Sequence, residues 1–240
     1  AFVTMGNTGA VLSIATLKTL RRIPGVKRPV LSALFAVNNH RMIFLDVGAN
    51  TDAKAEWMQQ FAIMGSIYAK RVFDYEQPKV ALLSNGEEDT KGNVAIRDTA
   101  TLLHQTNLNF MTTKADVIVM DGFVGNIVLK MFESTARYVT GLIREEFHND
   151  IFSMLGGLLA RPAFNRIRKK VDTSEVGGAP LLGVNGVVII GHGGNSPIGI
   201  KNAIKQAHTA AQSHVIEAIR TDLSQLSSTL GANSNGINTK

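Results

Sequence analysis

Five times along this chain a short apolar run ends in a turn rich in Gly and Asn, and a helical pattern usually follows. Phe2-Val3-Thr4 leads into Gly6-Asn7-Thr8-Gly9, and Met42 to Leu45 into Asp46-Val47-Gly48-Ala49-Asn50. Val80 to Leu83 leads into Ser84-Asn85-Gly86-Glu87-Glu88, and Val117 to Met120 into Asp121-Gly122-Phe123-Val124-Gly125-Asn126. Val187 to Ile190 leads into Gly191-His192-Gly193-Gly194-Asn195-Ser196. The runs are apolar throughout and do not alternate, which is the pattern of parallel strands covered on both faces. Strands alternating with helices imply right-handed crossovers and a doubly wound α/β sheet. The irregular spacing excludes a solenoid. Val30 to Phe35 reads as a sixth strand, placed outside the main sheet.

Helical stripes follow three of the turns. One runs Met58, Phe61, Ala62, Gly65, Ala69 and Val72; a longer one runs from Val128 through Met131, Phe132, Val139, Leu142 and Ile143 to Phe147. A third runs Ile200, Ile204, Ala207, Ala211, Val215 and Ile219. Apolar spacing of three and four residues buries one helix face. With 240 residues, 45% of them hydrophobic and 18% charged, the chain can bury a sizeable core. Residues 1–223 read as a single α/β domain, and the Ser-, Gly- and Asn-rich stretch 224–240 as a disordered tail. The start at Ala1, without Met and already strand-like, reads as that of a fragment or trimmed chain. No apolar run reaches the ~18 residues that span a bilayer. Cysteine is absent, which removes disulfides, thiolate zinc sites and a cysteinyl acyl-enzyme.

In an open parallel sheet, ligands bind at the carboxyl ends of the strands. All five turns are therefore expected on one rim, and each carries an asparagine: Asn7, Asn50, Asn85, Asn126 and Asn195. Asn and Gly in turns also have a plain explanation, since both tolerate left-handed dihedrals. Backbone N–H groups at helix starts suit an anion, phosphate above all, and Gly6-Asn7-Thr8-Gly9 is the best cradle. The dinucleotide fingerprint is missing, although Gly191 to Ser196 comes near it, and no Walker A sequence occurs. His192 reads either as a general acid/base or as a helix-start cap. Asp46 and Asp121 read as loop ties or as site acids; no ligand pattern supports a metal. Lys130 and Lys201 stand near helix N-termini, where a bound anion offsets their unfavourable position in the dipole.

The segment Ile151 to Val171 holds five bases, Arg161, Arg166, Arg168, Lys169 and Lys170, and no acid. The chain's net charge is +6, so everything outside this segment sums to only +1. Its apolar residues include Leu155, Leu158, Leu159 and Phe164, while Gly156-Gly157 and Pro162 are expected to interrupt any continuous helix. It forms the tip of a helical hairpin over 127–172. Three readings compete: a loop packed on the domain, an interfacial membrane element on anionic headgroups, or a dock for an acidic protein. Nucleic acid is disfavoured by the few aromatics and the absence of any standard module.

Together the motifs resemble the bacterial acyl-ACP:phosphate acyltransferases (PlsX type). The resemblance rests on Gly6 to Ala10, Leu45 to Asn50, Leu83 to Glu88, Lys91-Gly92-Asn93, Asp121 to Asn126 and Gly177 to Gly186. His192-Gly193 and Lys201-Asn202-Ala203-Ile204 extend it, and it runs in order to about residue 220. It implies transfer of a long-chain fatty acyl group from acyl carrier protein to inorganic phosphate. The acyl phosphate feeds phospholipid synthesis. It further implies a cytoplasmic homodimer with a Rossmann-like α/β/α fold, related to phosphotransacetylases and isopropylmalate-type dehydrogenases, touching the membrane through the 151–171 tip. Two departures stand out: the family's N-terminal portion before the Gly-Asn-Thr-Gly loop is missing, and the loop between Phe110 and Lys114 is short.

No cofactor is implied. Phosphate would sit on Gly6, Asn7, Thr8 and Gly9, with Asp46, Asn50, Asn85, Asp121 and Gly122 completing the rim. Its oxygen would attack the thioester directly, since there is neither a cysteine nor a G-x-S-x-G elbow. Asn126, Asn185 or His192 would donate to the oxyanion, and Lys130 or Lys201 would offset phosphate charge. Two alternatives remain open: a non-catalytic membrane scaffold, and a CoA-dependent short-chain phosphotransacylase.

Overall fold

The structure, a computed structural model, describes residues 1–37, 40–88, 90–111, 115–171 and 177–224; for 36, 37 and 168–171 it describes the backbone only. The expected tail therefore lies almost wholly outside the described residues, as does most of the short loop after Phe110. Eight strands form one sheet: β1 (Phe2–Thr4), β2 (Val30–Val37), β3 (His40–Leu45), β4 (Lys79–Leu82), β5 (Asn109–Phe110), β6 (Val117–Val119), β7 (Ala179–Leu182) and β8 (Val188–Ile190). Their order is β1-β8-β7-β2-β3-β6-β4-β5.

Strand β2 lies in the middle of this sheet, not outside it. It pairs antiparallel with β3 on one side and with β7 on the other. Its residues explain the position: Leu31, Ala33 and Phe35 face one helical layer, Val30 the other, and all are buried. Such a strand has no side to show to water. β7 and β8 are also antiparallel, whereas β1–β8, β3–β6, β6–β4 and β4–β5 are parallel. The directions then follow. β3, β4, β5 and β6 run one way; β1 and β8 run the other.

This overturns the single rim. The turns after β3, β4 and β6 lie at one edge of the sheet, and those after β1 and β8 at the opposite edge. Three antiparallel pairings, β3–β2, β2–β7 and β7–β8, lie between β3 and β8, and their odd number turns β1 and β8 against the other three apolar runs.

Helices cover both faces. On one lie α2 (Ala55–Val72), α3 (Val94–His104), α6 (Pro197–Gln212) and a further helical stretch over 215–224. The main core sits here, where Met58, Phe61, Met64 and Tyr68 of α2 meet Ile43, Leu45, Val117 and Val119. α2 lies so close to the sheet that a Cβ on Gly65 would come within 2.2 Å of Leu45 Cδ1. On the other face, α1 (Thr8–Ile14) continues into a π-helical turn, Ala15–Thr19, and α4 (Gly122–Glu146) begins. A smaller core joins Ala15, Leu31, Phe35, Val188 and Ile190 there.

Two helical stripes depart from expectation. In α6, small residues Ala203, Ala207 and Ala210 face the sheet, while Ile200 and Ile204 are exposed; the helix ends before His214, whose φ is +52°. Close packing needs small side chains on the inner face, so the largest residues turn outward. In α4 only Gly122 and Gly125 are buried, and Phe123, Met131, Tyr138 and Val139 stay exposed. The segment after α4 is not interrupted. α5 (Ile151–Val171) is continuous through Gly156-Gly157 and Pro162. A proline leaves the carbonyl four residues earlier without a donor. Here that carbonyl belongs to Leu158, on an exposed helix where water reaches it.

Candidate active site

The β3 and β6 edge is a tight knot. Asp46 is buried and its Oδ1 accepts from the N–H groups of Gly48 and Ala49, at 3.0 and 2.9 Å. Its Oδ2 accepts from Asn50 N–H and from Asn50 Nδ2, at 2.8 and 2.7 Å. Burial pushes the Asp46 carboxyl above its ordinary value, and these donors pull it back. The knot is locked by the first turn of α4. Asp121 caps that helix, accepting from Val124 N–H at 2.9 Å, and Gly122 N–H donates to Asn50 O at 2.7 Å. A Cβ on Gly122 would lie 2.7 Å from Asn50 O, and one on Gly125 only 1.7 Å from Asp46 O. The spacing of Asp121-Gly122-Phe123-Val124-Gly125 is thus a packing requirement. Asp46 and Asp121 are the loop ties that one reading of each expects.

The other sheet-end residues divide. Asn126 is exposed on α4 with its side chain beside Gly48, and Lys130 is exposed one turn on. Asn85 accepts from Gly92 N–H at 2.8 Å and closes its own loop. Asn185 lies in the β7–β8 turn, where its side chain accepts from Arg220 and its N–H donates to Arg21 O. It is therefore at the edge opposite His192, and not beside it.

At the β1 and β8 edge two turns adjoin. Asn7 caps α1, accepting from Ala10 N–H at 3.1 Å, and Gly6 N–H donates to Thr4 Oγ1 at 3.1 Å. The N–H groups of Thr8 and Gly9 have no partner among the described residues. Ser196, not His192, caps α6. His192 is exposed, and its Nδ1 accepts from Gly194 N–H at 3.3 Å. Asn195 Nδ2 donates to Gly177 O at 3.0 Å, and Gly178 N–H donates to Gln206 Oε1 at 3.2 Å. The first bond holds the Gly177-Gly178 turn against His192's loop and the second against α6. Lys201 is exposed one turn into α6.

From this edge a groove of about 1370 Å³ runs between the sheet and helices α4 and α5. Thr8, His192 and Asn195 stand at its polar end. Its floor is Leu31, Ala33, Phe35 and Ile190 of the sheet, with Phe132 edge-on to Phe35 at a ring distance of 5.0 Å. Arg137, Arg144 and Arg161 line its helical wall, offset by one acid, Glu133. Sequence reasoning missed the two α4 arginines and Gly177-Gly178. The signal was present in Arg137, Arg144 and His148, which recur at helical spacing on one face.

Helix α5 has two faces. Met154, Gly157, Leu158, Arg161 and Phe164 line the groove, as does Leu155. Phe152 and Leu159 point away and are 82% and 83% exposed. Arg166 is exposed; the side chains of Arg168, Lys169 and Lys170 lie outside the described residues.

A family model described as "Fatty acid synthesis protein" matches residues 1–218. The phosphate acyltransferase of Trichlorobacter lovleyi is 43% identical over 234 residues, covering 94% of this chain and 68% of the relative. That of Campylobacter lari is 44% identical over 232 residues, covering 93% and 70%. The chain spans about two thirds of the length of these curated relatives. Among solved structures, a phosphotransacetylase from Streptococcus pyogenes has a TM-score of 0.56 at 18% identity, covering 90% of this chain and 62% of that one. A branched-chain phosphotransacylase from Enterococcus faecalis V583 has 0.55 at 13%, covering 89% and 74%. At those identities the likeness is one of fold, a mixed α/β sheet flanked by helices. The match over nearly the whole chain places it in the fatty acid synthesis protein family, whose curated members here are enzymes named phosphate acyltransferase.

Proposed function

We propose that this chain moves a long-chain acyl group from a thioester donor, acyl carrier protein, onto inorganic phosphate. The observation that carries this is the groove, which joins open N–H groups and a histidine to a long apolar floor. An acyl phosphate has those two chemistries, an anion at one end and a hydrocarbon at the other. Phosphate binds at Thr8 and Gly9, where open N–H groups meet the positive end of α1. A phosphate oxygen forms the new bond to the thioester carbonyl carbon, the C–S bond breaks, and the thiolate takes the proton that phosphate gives up. His192 stabilises the oxyanion or carries that proton. Lys201 and Arg137 offset the phosphate charge. Asp46, Asn50, Asp121 and Gly122 build the scaffold that α4 hangs from.

His192→Ala and Asn126→Ala test which sheet edge hosts the reaction. The His192 variant is expected to lower kcat about 10²-fold with its melting temperature unchanged, because the side chain is exposed. Asn126→Ala at the opposite edge is expected to change kcat little. The reverse pattern would move the reaction to the β3 and β6 edge.

The outer face of α5 serves the membrane in this account. No described helix is long and apolar enough to cross a bilayer. Phe152 and Leu159 enter the interface while Arg166 meets anionic headgroups, making the protein a peripheral membrane enzyme of the cytoplasm. The uncovered stripe of α4 suits a second copy, giving a homodimer. Phe152→Asp with Leu159→Asp is expected to abolish sedimentation with phosphatidylglycerol vesicles. Binding that survives both changes would refute the interfacial role.

A further inference from the structure

Where α5 follows α4, three residues of the groove lining meet. A Cβ on Gly157 would come within 2.9 Å of the Phe147 ring at Cγ and 3.0 Å at Cδ1. Phe147 in turn meets Phe164 edge-on, with centroids 5.2 Å apart and planes at 74°. All three line the groove. Only glycine at 157 lets the Phe147 ring lie back against α5; any side chain there pushes the ring elsewhere.

Phe147 stands fifteen residues beyond Phe132 on the same helical run, about 22 Å away at 1.5 Å per residue. Phe132 touches the sheet at Phe35, so Phe147 is far from the sheet. That distance is on the scale of an extended long-chain acyl tail. The cavity also exceeds the roughly 300–1,000 Å³ of ordinary small-molecule sites.

Resting on the acyl-transfer reading, we propose that the groove's occupant is the acyl tail itself, and that Phe147, Gly157 and Phe164 form the stop for its methyl end. Gly157 then determines which chain lengths fit. The inner face of α5 reads the substrate while its outer face meets the lipid.

The test compares palmitoyl and lauroyl donors. Gly157→Val drives the Phe147 ring into the groove and is expected to shift the ratio of kcat/KM values about tenfold toward lauroyl. Phe147→Ala removes the stop and is expected to shift it toward palmitoyl, and it provides the answer should the valine variant not fold. An equal fall for both donors, or no change, would overturn the inference. So would a change of oligomeric state without a change of length preference, which would make the groove a subunit contact. Direct binding of free palmitate and laurate to the same variants separates the inference from the reaction. A length shift in binding without phosphate-dependent transfer would sink the transferase reading and keep the groove.

Discussion

Gly125→Ala is expected to destabilise the protein by about 3 kcal/mol or more, read as a fall in the urea midpoint at constant slope. The methyl group would have to occupy a point 1.7 Å from Asp46 O. The obstacle is backbone and cannot rotate aside, so α4 must separate from the β3 loop. Gly141→Ala in the same helix is the control. Nothing lies within 4 Å of its Cβ, and relief of glycine's entropy is expected to stabilise by about 0.5–1 kcal/mol. Equal effects at the two positions would show that helix propensity, not close approach, selects Gly125.

Asp46→Ala is expected to cost about 3–5 kcal/mol. It leaves the N–H groups of Gly48, Ala49 and Asn50 and the Asn50 amide without their acceptor, at about 1–3 kcal/mol for each donor that water does not reach. Asp46→Asn keeps one acceptor oxygen and is expected to lose roughly half as much. The double change with Gly125→Ala should cost less than the sum, because both act on one contact. Thermal unfolding of the three variants checks this. Full additivity would mean that the loop and the helix turn are held independently.

Local structure was legible in this chain because local chemistry writes it. Val117 to Met120 is apolar on every residue and is a covered strand; Asp121 precedes a helix and caps it. What the sequence does not display is direction. Nothing in Val30 to Phe35 or Ala179 to Leu182 says that three antiparallel pairings, β3–β2, β2–β7 and β7–β8, separate β3 from β8, yet their odd number sends the turns after β1 and β8 to the other edge. β7 was hidden for a similar reason. Ala179-Pro180-Leu181-Leu182 is short and contains a proline, which argues against a strand inside a sheet. The β2–β7 register covers only Leu181 and Leu182 of this strand, and Pro180, beyond it, accepts at its carbonyl from Ser32 Oγ at 2.8 Å.

The site was half legible. His192, Asn195 and the Gly6 to Gly9 turn do share an edge, as their helix-start chemistry suggests. Asp46 and Asp121 follow strands in the same way, but their oxygens are spent on neighbouring N–H groups. The groove was invisible because it is tertiary. Its floor is Ala33 and Phe35 of the misplaced strand, and its wall is the inner face of a helix read as broken.

In the proposed reaction, thioester cleavage and phosphate capture are one step. Incubation of the protein with a palmitoyl thioester of acyl carrier protein and radiolabelled phosphate measures it directly. Labelled acyl phosphate is expected to form in step with thiol release, and neither product without phosphate. Thiol released without label in the acyl product, or at the same rate when phosphate is omitted, would contradict it.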